Sequence, residues 1–150
     1  MDLKEFQKIM DFALEKEKEA VQFYKMCSEM TDQSNMKEVF LEMSHEEEKH
    51  VNMIRNFKPG SIERGKLDIV PNLKISDYLV DMEFSKDMNF QQLLILAMKR
   101  EEKSIQLYTA LAESNSDENV VKLFRMLAQE ELRHKNRIEK EYDDIVLSQN

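Results

Sequence analysis

The chain has 150 residues, 41% hydrophobic and 35% charged, the length of one ordinary domain and enough apolar material for a buried core. Its formal net charge of −8 excludes the basic surface that attracts nucleic acids and anionic membranes, so neither is an expected partner. Its single cysteine excludes an internal disulfide or a CxxC metal site, and no apolar run approaches the roughly 20 residues of a membrane span.

Only two Gly and two Pro interrupt the chain, a composition that favours long helices over a sheet. The first helix is expected over about 3–30, with Asp2 and Glu5 at capping-box spacing. Its apolar seam, Phe6, Met10, Ala13, Ala20, Tyr24 and Cys27, takes Glu17 in its middle. The opening "MDLKEFQKIM" is amphipathic and carries acids, unlike a signal peptide, so the expected location is cytoplasmic. Cys27 reads as a small buried packing residue.

The polar stretch "TDQSN" then turns the chain into a second helix, about 35–57, antiparallel to the first. Its seam is Met36, Phe40, Met43, Glu47, His50, Ile54 and Phe57. His45 lies about 200° around the helix from Glu47 and reads as a surface residue. Both prolines and both glycines fall within 58–71, so no long helix crosses that stretch. A short helix is expected within 75–84, with Ile75, Leu79 and Met82 on one side. The third long helix is expected over about 90–113, with Asn89 as its cap and the seam Leu94, Ala97, Glu101, Ser104, Tyr108 and Leu111. The fourth, about 118–145, has the seam Val120, Phe124, Leu127, Glu131, His134 and Ile138.

The halves repeat at an offset of 84 residues: Glu17, Tyr24, Glu47 and His50 map by identity onto Glu101, Tyr108, Glu131 and His134. Two similar helical hairpins packed side by side need a crossover that returns the chain along the bundle, which is the role of 58–89. The fold class expected is therefore all-α, one four-helix bundle of two αα-hairpins.

In each seam the middle layer is charged where Leu or Ile belongs. Glu17 and Glu101 stand alone on their helices, while Glu47–His50 and Glu131–His134 share the i, i+3 spacing that places both side chains on one face. Four carboxylates buried together are untenable without a positive partner, because each ion costs several kcal/mol even after relaxation. Two divalent cations balance four glutamates. Carboxylate oxygen with one imidazole per metal suits iron or manganese, with zinc as a substitute, and this Glu and Glu-x-x-His pattern is that of di-iron and di-manganese carboxylate bundles. Metal-bound histidine commonly donates its other N–H to a carboxylate. Glu46 and Glu130, about 100° around their helices from the neighbouring Glu47 and Glu131, are expected to bond His134 and His50 respectively. Tyr24 and Tyr108, two turns beyond Glu17 and Glu101, can each donate to a ligand carboxylate.

"ALEKEKEAVQFY" and "AMKREEKSIQLY" resemble the first and third helices of rubrerythrin-like proteins of the ferritin-like superfamily, and "FLEMSHEEEKH" and "FRMLAQEELRH" the second and fourth. The resemblance implies a ferritin-like topology and a non-haem di-iron site that reacts with hydrogen peroxide or dioxygen. It carries the ligand role to Glu17, Glu47, His50, Glu101, Glu131 and His134, with Glu47 and Glu131 bridging. Two departures stand out. Ser104 occupies the position of an additional glutamate in rubrerythrins, and the four cysteines of a rubredoxin domain are absent. A separate rubredoxin-like electron donor and a homodimer are the implied partners. Competing readings are a ferroxidase that handles iron and a non-catalytic helical module with a vestigial metal site.

Overall fold

The computed structural model describes residues 3–57, 75–80, 82–115 and 117–149. Four long helices dominate: α1 Leu3–Met30, α2 Ser34–Asn56, α3 Phe90–Ser114 and α4 Glu118–Gln149. There is no strand among the described residues, and none of the described helices is long and apolar enough to cross a membrane. The fold is an all-α four-helix bundle in which α1 pairs closely with α2, and α3 with α4.

Local chemistry explains the helix ends. Asn89 caps α3 through a reciprocal box: its side chain accepts from Gln92 N at 2.8 Å, and Gln92 Oε1 accepts from Asn89 N at 2.9 Å. Asp117 starts α4 by accepting from the backbone of Asn119 and Val120 at 2.9 and 3.1 Å. α4 runs four residues past Ile145, because "VLSQ" contains neither Gly nor Pro to stop it. The expected Asp2–Glu5 box depends on Asp2, which lies outside the described residues, as do residues 58–74 of the connection.

The short helix expected within 75–84 is present as one 3-10 turn, Ile75–Tyr78, and no helix follows it among the described residues before α3. Val80, Met82 and Phe84 pack against the bundle while Glu83 and Ser85 are exposed. That alternation has the period of an extended chain, and it wins over a helical period in a segment too short to nucleate a stable helix.

The core divides in two. One cluster joins the start of α1 (Phe6, Met10) to the end of α3 (Leu111) and the start of α4 (Val120, Phe124). The other joins the end of α1 (Tyr24, Cys27), the start of α2 (Met36, Phe40), the start of α3 (Leu94, Ala97) and Ile138 of α4. This arrangement fixes the helix directions: α1 is antiparallel to both α2 and α3, and the 57–89 connection must travel the length of the bundle. Tyr78 packs against the first cluster and Val80, Met82 and Phe84 against the second, which traces that return path. Between the clusters lies a layer that belongs to neither, and it contains the buried acids.

Candidate metal centre

Each helix brings its mid-seam residue to this layer because the seam repeats in steps of three and four. Glu17 of α1, Glu47 and His50 of α2, Glu101 of α3, and Glu131 and His134 of α4 are all at most 3% exposed. They form two overlapping groups. Glu17, Glu47, His50 and Glu131 present one nitrogen or oxygen each within 4.8 Å of one another, and so do Glu47, Glu101, Glu131 and His134. Glu47 and Glu131 belong to both groups, so each lies between two ion-sized positions.

Both imidazoles turn Nδ1 inward. His50 Nδ1 lies 2.8 Å from Glu131 Oε1, 3.5 Å from Glu47 Oε2 and 3.6 Å from Glu17 Oε2. His134 Nδ1 lies 3.0 Å from Glu47 Oε1 and 3.7 Å from Glu101 Oε1. The two rings are near-parallel, 6.2 Å apart. Glu17 Oε2, Glu47 Oε2, His50 Nδ1, Glu101 Oε2 and Glu131 Oε1 are buried without a hydrogen-bond partner. Even the 2.8 Å approach of His50 to Glu131 lacks hydrogen-bonding angles, so the two atoms lie side by side and face a common point. Five orphaned ligand atoms in one layer are costly in a protein interior unless a cation completes them. The donor set, mixed carboxylate oxygen and imidazole nitrogen, fits iron, manganese or zinc.

Protons hold the charge when no metal does. Burial pushes Glu47 well above the usual carboxylate range, and the negative charges of Glu17 and Glu101 add to it. Burial likewise raises Glu131, helped by the charges of Glu101, Glu17 and Glu47. Burial also opposes ionisation of Glu17, but contacts with Glu47, His50 and Tyr108 outweigh it and hold Glu17 below its ordinary value. Burial disfavours the charged form of His50, yet Glu131 and Glu17 raise it to about 10. His134, opposed by burial in the same way, is raised to about 9 by Glu101 and Glu46.

The surrounding contacts cross between the hairpins. Tyr24 of α1 donates to Glu101 of α3, and Tyr108 of α3 donates to Glu17 of α1 at 2.6 Å. Burial and the adjacent carboxylate charges raise both phenols well above their ordinary value, so they remain donors. Glu46 bonds His134 Nε2, which turns Nδ1 toward the layer. The symmetric expectation for Glu130 is corrected: it pairs with Arg133 one turn along its own helix, at 3.4 Å, rather than with His50. His45 is exposed and pairs loosely with Glu48 at 3.8 Å. Cys27 is fully buried, and burial pushes its thiol up to about 12, so it is a packing residue.

Residues 8–142 match the family model described as Rubrerythrin. The chain belongs to the rubrerythrin family. Among solved structures, this rubrerythrin-family chain is similar to a hypothetical protein from Pyrococcus furiosus, with 27% identity, a TM-score of 0.70, and coverage of 95% of this chain and 92% of the other. No curated protein matches it. The family assignment agrees with the buried Glu/His layer in pointing to a metal site. One part of the surroundings has no counterpart in the periodicity of the sequence. A cavity between α1, α3 and the Tyr78–Phe84 segment reaches Glu101 and Glu131 and is lined by Arg100 and Ser104. A five-residue alternation and one half-buried arginine are too little signal to find it from sequence.

Proposed function

We propose that this chain is a non-haem di-iron redox protein that reduces hydrogen peroxide or dioxygen in the cytoplasm, with electrons from a separate rubredoxin-like donor. The observation that carries this reading is the pair of overlapping four-residue groups that share Glu47 and Glu131, with ligand atoms left unpartnered. Glu17 and His50 would hold one iron and Glu101 and His134 the other, with Glu47 and Glu131 available to both positions. Bound iron supplies one-electron redox steps and Lewis acidity.

The rest is the work of the protein. The apolar clusters on either side keep bulk water from the layer. Glu46 fixes the ring of His134, and the crossed tyrosine bonds fix the outer carboxylates Glu101 and Glu17. His50, His134, Glu47 and Glu131 would give up their protons to bind metal, and two divalent ions would then balance the four glutamates. The cavity that ends at Glu101 and Glu131 gives an oxidant its approach.

A scavenger of this kind is expected to be a homodimer; a ferroxidase that stores iron would form a larger cage. The test is stopped-flow absorbance of anaerobic protein loaded with two Fe²⁺, mixed in turn with hydrogen peroxide and with dioxygen. Faster oxidation by peroxide is the expected result. Faster oxidation by dioxygen would favour the ferroxidase reading. Binding of no iron, or reaction with neither oxidant, would leave a helical module with a vestigial site.

A further inference from the structure

The cavity beside the metal layer has a volume of about 500 Å³. A water occupies about 30 Å³ of liquid and a peroxide little more, so the cavity has room for far more than an oxidant. Its size falls within the range of about 300–1,000 Å³ that is typical of sites for small organic ligands.

Its construction follows from the repeat. Ala20 and Ser104 correspond at the 84-residue offset, each one turn beyond the outer glutamate of its helix, and both line the cavity. Both side chains are small, and because α1 and α3 are antiparallel they leave the space of a larger residue open on either side of the outer glutamates. Phe12 on α1, Leu107 on α3, and Tyr78, Val80, Met82 and Phe84 on the returning connection supply the apolar part of the walls, and charged side chains supply the rest. The inner end is formed by Glu101 and Glu131.

Charge distinguishes one occupant. Apart from those two glutamates, the lining carries Lys16, Arg100 and Lys103 against Glu19 and Glu83. Lys16 is neutralised by Glu19 at 3.1 Å. Arg100 lies over the Phe23 ring at 4.7 Å with its Nε buried and without a hydrogen-bond partner. Lys103 donates to the backbone carbonyl of Asp77 at 3.0 Å. Beyond the Lys16–Glu19 pair, Arg100 and Lys103 stand against Glu83, so the lining carries one net positive charge once two divalent ions have neutralised the glutamate layer.

We propose that this cavity binds a small organic carboxylate with an apolar body. The carboxylate lies at the Glu101–Glu131 end, within reach of Arg100 and the adjacent metal position, and the apolar body lies along Phe12, Tyr78, Val80 and Phe84. The head-group contact rests on the di-metal reading, and the experiment separates the two. Metal titration of the protein without ligand, followed by calorimetry, reports on the metal layer alone. The Mn²⁺-loaded protein is then titrated with octanoate, with octan-1-ol as the same body without charge, and with acetate as the head alone.

Octanoate is expected to bind saturably, and octanol and acetate at least about tenfold more weakly, since losing either half removes more than about 1.4 kcal/mol. Ser104→Phe fills the cavity beside Glu101, and Val80→Trp narrows its wall from the connection, at a position outside the four helices. Each is expected to weaken octanoate at least about tenfold while leaving Mn²⁺ affinity close to that of the parent protein, which shows that the bundle and its metal layer are intact. No saturable binding of octanoate to metal-loaded protein overturns the proposal and leaves the di-metal reading intact. Equal binding of octanol, or unchanged binding by both variants, also overturns it. Failure to bind Mn²⁺ or Fe²⁺ removes the di-metal reading, and the proposed head-group contact with it.

Discussion

Glu47 is wholly enclosed, and the charges of Glu17 and Glu101 bear on it from two sides. Burial and these charges favour its neutral form in the metal-free protein, so a neutral isostere relieves repulsion within the layer. Glu47→Gln is expected to leave the metal-free unfolding midpoint at neutral pH unchanged or raised. Metal affinity should fall by more than about 100-fold, beyond the 10–100-fold typical of a lost supporting bond, because Gln removes a donor shared by both positions. Thermal melts and Mn²⁺ calorimetry measure the two effects; a variant that unfolds readily yet binds metal normally would contradict this account. The outer residues are unequal. Glu46 orients His134, whereas Glu130 is drawn to Arg133, so Glu46→Ala should weaken metal binding by about 10–100-fold and Glu130→Ala by no more than about twofold. A titration in which both variants lose affinity equally would show that Glu130 leaves Arg133 when metal binds.

At the scale of elements, the backbones of α1 and α3 approach each other much less than those within either hairpin. The Tyr24–Glu101 and Tyr108–Glu17 bonds are two of the buried polar ties between them. Tyr24→Phe and Tyr108→Phe each strip a buried carboxylate of its donor, and each should cost the metal-free protein about 1–3 kcal/mol in urea unfolding. The pairing of these tyrosines was only half legible in the sequence. Their seven-residue spacing from Glu17 and Glu101 places them on the right faces, but which carboxylate each reaches depends on the antiparallel setting of α1 and α3. The helices and the Glu/His layer were legible because seam and repeat coincide at the same residues. The direction taken by Glu130 was not, because helical rotation gives a face and not a rotamer, and Arg133 competes one turn away. The extent of the short helix in the connection was not legible for a different reason: Val80, Met82 and Phe84 follow an extended alternation, while Ile75, Leu79 and Met82 fit a helical one.

The whole molecule stores the charge problem as a dependence on pH. His50 and His134 are raised from 6.5 to about 10 and about 9, so folded metal-free protein binds their protons more tightly than the unfolded chain does. The stability they contribute is complete below pH 6.5 and is lost as pH rises through those values. Glu47 and Glu131, also raised, act in the same sense: their contribution is full below 4.5 and is lost as they ionise. Glu17, lowered, acts oppositely, contributing above 4.5 and losing that contribution as pH falls through its own value. Above neutral pH the two histidines decide the slope, and Cys27, raised by burial from 9.0 to about 12, acts in the same sense, so the metal-free unfolding midpoint should fall as pH rises. Metal binding has the reverse dependence, because the histidine and glutamate protons must leave before the ligands are free. Affinity for Mn²⁺ should therefore rise with pH, and calorimetry in buffers of different ionisation enthalpy should register net proton release. The stabilisation conferred by metal then grows over the range in which the metal-free protein weakens, since it depends on the ratio of free metal to dissociation constant. A metal-free midpoint that rose with pH, or metal uptake without proton release, would mean that the buried layer is already ionised and that some other cation balances it.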